Sequence, residues 1–108
     1  GDVVRCHKNG GRGFVSAFAP AYSEDEFRVW NFLEEGRYEE AEKIKTRTSK
    51  ILDPVMETIG GNSGGYRLAK GMMDIVGHSS GPPRLPTEPL SNEEITVLRI
   101  AMQQLGWV

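Results

Sequence analysis

One stretch of this chain reads as a β-strand, and no other does. Residues 13–18, Gly-Phe-Val-Ser-Ala-Phe, combine β-formers with few charges and follow a glycine pair, the punctuation expected before a strand. The run is nearly apolar on both faces, which is the pattern of a strand buried in a parallel sheet. Pro20 ends it. A central strand carries backbone N–H and C=O groups along both edges, and burying them unpaired is costly. The rest of the chain has helical spacing and offers no second strand. The spacing therefore predicts a folded helical portion and an N-terminal strand satisfied only by another chain, through pairing or swapping between copies.

The other elements follow in order. Residues 2–9 read as the tail of an amphipathic helix with Val3, Val4 and His7 on one face, ended by Gly10-Gly11. Ser23-Glu24-Asp25-Glu26 has the form of a capping box, and its acids suit the positive end of a helix. That helix, residues 23–35, carries Phe27, Val29, Trp30, Phe32 and Leu33, too many for one stripe, so it is expected to be buried on two sides. Gly36 closes it. Residues 38–59 form the longest helix, with Ala41, Ile51, Leu52, Val55 and Ile59 in register and a Glu39–Lys43 pair on the wet side. Pro54 predicts a kink, because the apolar face continues across it. A glycine-rich connector, residues 60–65, leads to a short helix in which Leu68, Met72, Ile75 and Val76 share a face and Gly77 takes the C′ position. Pro82, Pro83, Pro86 and Pro89 make residues 78–90 an irregular, stiff crossing. Ser91-Asn92-Glu93-Glu94 is a second capping box. It opens a last helix with Ile95, Leu98, Met102 and Leu105 inward, and Trp107-Val108 are expected to fold back.

Composition narrows the function. At 108 residues the chain is one domain or a piece of one. A net charge of −2 and a pI near 5.7 argue against a nucleic-acid surface. Cys6, alone, excludes an internal disulfide and a cysteine-based metal cluster, and a reducing, cytoplasmic setting is the expectation. No apolar run reaches the roughly 18–20 residues of a membrane span, and the start has no signal-peptide layout. The missing initiator methionine is read as processing, trimming or a fragment.

Several chemical motifs fail on context. Residues 60–65 have phosphate-loop spacing, but Tyr66-Arg67 follow where Lys and Ser or Thr are needed, and no strand precedes them. Gly11-Arg12-Gly13 starts like a dinucleotide fingerprint but comes before the strand. His7 and His78 lack ligand or triad spacing and read as helix-end histidines. Cys6 reads as a small buried hydrophobe. Lys70 could form a Schiff base if desolvated. Its simpler role is a stem laid along the helix with the head in solvent or on a carboxylate. Ser16 sits at a strand end, and Tyr66 at a helix start.

The ordered set of motifs carries more than any one of them. Val3-Val4, Gly11-Arg12-Gly13-Phe14-Val15-Ser16, then Leu33-Glu34-Glu35-Gly36-Arg37-Tyr38-Glu39-Glu40-Ala41, then Lys70 through Arg84 with Pro86, Pro89, Leu90 and Ser91, resembles the C-terminal portion of the dihydrodipicolinate synthase / N-acetylneuraminate lyase superfamily. These are class I, Schiff-base aldolases and lyases. The resemblance covers essentially the whole chain. It implies a mainly α chain that is the last strand and helix of a (β/α)8 TIM barrel followed by a three-helix C-terminal tail. Residues 1–35 would be the end of the barrel (helix 7, strand 8, helix 8), and residues 36–108 the tail. The function implied is that of a C-terminal fragment of a 2-oxo-acid, pyruvate-type aldolase or lyase. The catalytic lysine would lie outside this chain, so the chain alone would be inactive. Lys70 matches a tail-helix lysine and not the nucleophile.

The resemblance places three residues near substrate: Ser16 and Ala17 at the mouth end of the eighth strand, and Tyr66, an aromatic that reaches from the tail toward the pocket in the lyase branch. It implies no catalytic residue within the chain, no metal and no cofactor. The partners implied are a small-molecule 2-oxo acid and further copies of the chain, with no nucleic acid and no membrane. The alternative reading is a non-catalytic helical interaction module.

Overall fold

The structure, a computed structural model, describes residues 2–61 and 65–108. The middle of the expected glycine connector, Asn62, Ser63 and Gly64, lies outside the described residues. Among the described residues five helices follow one another: α1 (Val3–Lys8), α2 (Glu24–Glu34), α3 (Tyr38–Ile59), α4 (Tyr66–Ile75) and α5 (Asn92–Leu105). Four of them, α1, α2, α4 and α5, stop in the same way. Gly10, Gly36, Gly77 and Gly106 take positive φ, and the N–H groups of the glycine and of the residue after it turn back onto the last-turn carbonyls. At α4, Gly77 N–H donates to Asp74 O at 3.2 Å and His78 N–H to Met73 O at 2.9 Å. This is the paired C-terminal bonding that a left-handed residue makes possible.

The second capping box forms as its sequence predicts. Ser91 Oγ accepts from Glu94 N–H at 3.2 Å, and Glu94 Oε1 accepts from Ser91 N–H at 3.0 Å. The first does not. Ser23 has helical dihedrals, so its hydroxyl is not turned toward the first-turn N–H groups. The acids of that turn are engaged elsewhere: Asp25 with Trp107, Glu26 with Lys45, Glu24 with Tyr22. The Glu39–Lys43 pair is not made either. The ion pairs near the start of α3 run from Arg37 to Glu35 and Glu40 instead.

Helix α3 is the spine. Its 22 residues span about 33 Å at 1.5 Å per residue, against a long molecular dimension of 41 Å. The radius of gyration, 14.5 Å, exceeds the about 13 Å of a rounder chain of this size. Helix α3 runs through Pro54 as one element, with no restart capped by Asp53. Its first half packs against α1 and α2 through Val3, Val4, Val29, Leu33 and Ala41. Its second half joins α4 and α5 through Leu52, Val55, Ile59, Leu68, Met72, Leu98, Met102 and Leu105. Helices α4 and α5 meet closely at Gly71, where a Cβ would stand 2.6 Å from Leu90 Cδ1 and 3.1 Å from Leu98 Cδ2.

Polar side chains tie these pieces together. Trp107 folds back as expected, stacks on Tyr22 with ring centroids 5.5 Å apart, and donates its indole N–H to buried Asp25 at 3.0 Å. Arg67 reaches the end of α3 (Ile59 O, 2.7 Å), the proline-rich crossing (Glu88 O, 2.7 Å) and the capping-box carboxylate of Glu94 (3.0 Å). Arg47 of α3 donates to the last carbonyls of α5, Gln104 O at 2.8 Å and Leu105 O at 3.4 Å.

The expected strand is corrected by the structure. Residues 11–16 are extended but irregular, and among the described residues no strand forms. Among the described residues, the backbone groups of residues 12–17 make no backbone hydrogen bond. With no neighbour to complete a ladder, the segment stays unpaired and its polar groups face solvent. It ends in a turn where Phe18 N–H donates to Ser16 Oγ at 3.4 Å. Up to residue 35 the described residues form two helices and an extended segment, and the barrel end expected there is not seen. Helix α2 is buried along one face, Val29 and Leu33, with Trp30 and Phe32 half-buried at its flanks; Phe27 is 66% exposed, so the expectation of burial on two sides also fails. Cys6, read as a buried hydrophobe, is exposed.

Candidate functional site

The extended segment lies over the α1–α2–α3 cluster and is pinned there by aromatic contacts. Phe14 tilts against Trp30 (centroids 5.9 Å, 41°), and Trp30 presents an edge-to-face contact to His7 at 5.5 Å. His7 Nε2 donates to Glu34 Oε1 at 3.0 Å, and Nδ1 meets the Tyr38 hydroxyl at 3.3 Å. His7 is thus a half-buried helix-end histidine that joins α1 to α2 and α3, the role its position implied. Lys45 Nζ stands 6.0 Å from the Phe14 centroid and donates to Glu26 Oε1 at 3.3 Å.

Two grooves flank this segment. One, about 370 Å³, is lined by Arg12, Phe14, Ser16, Glu26, Phe27 and Trp30 among others. The second, about 380 Å³, is lined by Ser16, Ala17, Val3, Cys6, Phe18 and Lys45 among others. Ser16 therefore borders both grooves, and Ala17 borders one. Glu26 Oε2 is buried without a hydrogen-bond partner among the described residues, which marks the carboxylate as a group still short of a donor.

Tyr66 stands at the first turn of α4, 72% exposed. It follows Gly65, whose φ of 96° is open to glycine at little cost. Phe18 and Gly65 are neighbours: a Cβ on Gly65 would lie 4.0 Å from Phe18 Cζ. That approach is made by the Phe18 ring; Ser16 and Ala17 line the grooves without Tyr66. Lys70 takes the simpler of its two roles, its ammonium donating to Ser80 O at 3.2 Å.

Two groups nearby have shifted acidities. Tyr22 donates its hydroxyl to Glu24 at 2.9 Å, which holds the phenol proton and raises its pKa, with burial adding to the effect. Glu94 is held below the ordinary glutamate value, chiefly by the Ser91 backbone N–H and further by Arg67, against an opposing push from burial. Among the described residues, no three His, Cys, Asp or Glu side chains gather as a metal site needs, and no helix is long and apolar enough to cross a membrane.

Sequence reasoning missed Glu26, Lys45 and Arg67. For Glu26 a signal was present: Glu26, Val29 and Leu33 fall at i, i+3 and i+7, placing a carboxylate on the buried stripe of α2. Arg67 gave no such signal, because its partners come from three separate elements.

Comparison with known proteins bears on this arrangement. Residues 3–105 match the model of the dihydrodipicolinate synthetase family. Neither the curated proteins nor the solved structures compared with the chain gave a match. A match that runs from the first turn of α1 to the end of α5 takes in the extended segment, both helical clusters and the proline-rich crossing, and on it the chain belongs to the dihydrodipicolinate synthetase family.

Proposed function

We propose that the chain works as the C-terminal portion of a class I, Schiff-base aldolase or lyase that handles a pyruvate-type 2-oxo acid. The observation that carries this reading is the family match over residues 3–105. Residues 1–35 would close a (β/α)8 barrel, and residues 36–108 would form its helical tail. The extended segment supports the first part: among the described residues, the backbone of residues 12–17 makes no backbone hydrogen bond, and Val15 is 99% exposed, as suits a strand awaiting neighbours. The nucleophile would be a desolvated lysine amine supplied by residues other than these. Lys45 and Lys70, the two lysines with described polar partners, are held by Glu26 and by Ser80 O, neither of them in a dry apolar pocket. Ser16 and Ala17 would border the substrate mouth. Tyr66 would shape substrate choice more than turnover, in a homo-oligomer acting in the cytoplasm without a metal or organic cofactor.

Borohydride trapping tests this. In the full-length protein, pyruvate and borohydride are expected to leave a stoichiometric adduct on a lysine outside these 108 residues, and none on Lys70. An adduct on Lys70, or none anywhere, overturns the reading. In the same protein Tyr66→Phe and Tyr66→Ala are expected to change the ratio of kcat/KM between substrates. Unchanged ratios make Tyr66 a packing residue. A second reading, a non-catalytic helical interaction module, is favoured by one observation: all regular structure among the described residues is helical.

A further inference from the structure

Away from the residues of the extended segment, a cleft of about 270 Å³ lies between α4, α5 and the proline-rich crossing. That is just under the about 300–1,000 Å³ of pockets for drug-sized ligands, so it suits a compact metabolite. Its apolar lining includes Ile75, Leu90 and Ile95, and its charged groups include Lys70, Asp74 and Arg99.

The charges do not cancel within the protein. Lys70 and Asp74 are i,i+4 on α4 and could pair, yet the lysine turns to Ser80 O on the crossing. That bond uses one of three ammonium donors and leaves two. Among the described residues neither Asp74 nor Arg99 makes an ion pair or a side-chain hydrogen bond. Arg67, at the same cleft, is matched by Glu94. What remains is two cations and one anion around a lining of mixed polar and apolar groups.

We propose that this cleft binds a small organic dicarboxylate, with Lys70 and Arg99 each receiving a carboxylate and Asp74 receiving an ammonium where the ligand carries one. The matching class is the acidic α-amino acids, which present two carboxylates and one ammonium on a short carbon chain. The shared chemistry, two carboxylates, also belongs to simple diacids, and Asp74 is the group that separates the two. The ligand would bridge α4, α5 and the crossing, and so hold the crossing against the tail.

Calorimetry and thermal melts of this chain at fixed ionic strength, with L-glutamate, L-aspartate, succinate and L-alanine as probes, test the proposal. Glutamate or aspartate is expected to bind and raise Tm, succinate more weakly, alanine not at all. Lys70→Met and Arg99→Gln are each expected to weaken binding by about tenfold or more, the loss of one charge-assisted contact. Asp74→Asn is expected to abolish the advantage of the amino acids over succinate while leaving succinate binding in place. Arg99 is exposed, so its variant reports binding without disturbing the core. Absence of binding by all four probes, equal binding of alanine, or binding untouched by both cation variants overturns the proposal. None of these outcomes depends on Schiff-base chemistry, so the cleft and the proposed catalytic role fail or stand separately.

Discussion

The two ends of α3 teach different things about what this chain can satisfy by itself. At its C-terminal end three helices close on one another. Leu68, Met72, Leu98 and Met102 are fully buried, the capping box is complete, and Arg67, Arg47 and Trp107 meet backbone or carboxylate partners from other elements. At its N-terminal end five buried residues hold α1 and α2. There Phe27 and Val15 point outward and, among the described residues, six consecutive residues lack backbone hydrogen-bond partners and Glu26 has an orphan oxygen. Helices satisfy their own hydrogen bonds and need only one apolar face covered. An extended segment depends on a neighbour for its whole backbone. That difference explains why the helical end meets its own polar groups and the segment at the other end does not.

The contrast can be broken by mutation, and the largest effect is expected in the finished core. Leu98→Ala should cost about 2–5 kcal/mol by chemical denaturation, the transfer loss plus a cavity. Phe27→Ala at the other end should change stability by no more than about 0.5 kcal/mol. Equal losses at the two sites would erase the distinction. Next comes the link between the ends. Trp107→Phe keeps an aromatic ring but removes the donor to Asp25, leaving a buried carboxylate oxygen short of a partner. A loss of about 1–3 kcal/mol is expected, and a neutral result would show that the ends are joined by ring packing alone.

A smaller, pH-dependent effect belongs to Glu94. Its folded-state pKa lies below its ordinary value, so the unfolded chain binds the proton more tightly. The stabilisation is therefore complete above the ordinary glutamate pKa of about 4.3 and fades as pH falls through the lower folded value. Denaturant midpoints of the parent are expected to drop on acidification through that window more steeply than those of Glu94→Gln. Parallel curves would mean that the cap contributes the same whether charged or neutral. The least effect on stability, about 0.5 kcal/mol or less, is expected for Val15→Lys, since Val15 touches almost nothing. Its effect should be on association: the parent chain is expected to self-associate in light scattering through residues 12–17, and the lysine on that edge to shift it toward monomer. A parent that stays monodisperse and monomeric at high concentration would sharpen the comparison differently, favouring the helical-module reading.

Much of the finished end was legible in the sequence because its signals are local. The apolar spacing of Leu68, Met72 and Ile75, the Ser91–Glu94 box and the terminal glycines each act within a few residues, and each does in the structure what it does in a peptide. The misreadings lie where distant residues decide. Ser23 has the letters of a cap, but its turn is recruited by Trp107, 84 positions on, and by Lys45. Residues 13–18 have the composition of a strand, but a strand is a relation between segments, and no composition supplies the second one. Tyr66 was placeable at a helix start; that Phe18 would reach the glycine before it was not, because the contact joins segments nearly fifty residues apart.

The placement of the two tryptophans gives the molecule a pair of internal lamps. Trp30 sits against Phe14 and His7 in the cluster of α1, α2 and the first half of α3, whereas Trp107 stacks on Tyr22 in the cluster of α4, α5 and the second half. These are the chain's only indoles. With Trp107→Phe the remaining emission reports the docking of the extended segment, and with Trp30→Phe it reports the closure of the tail. A single optical titration of each variant can therefore show whether the shared helix makes the two clusters melt as one or lets the cluster of α1 and α2 open first.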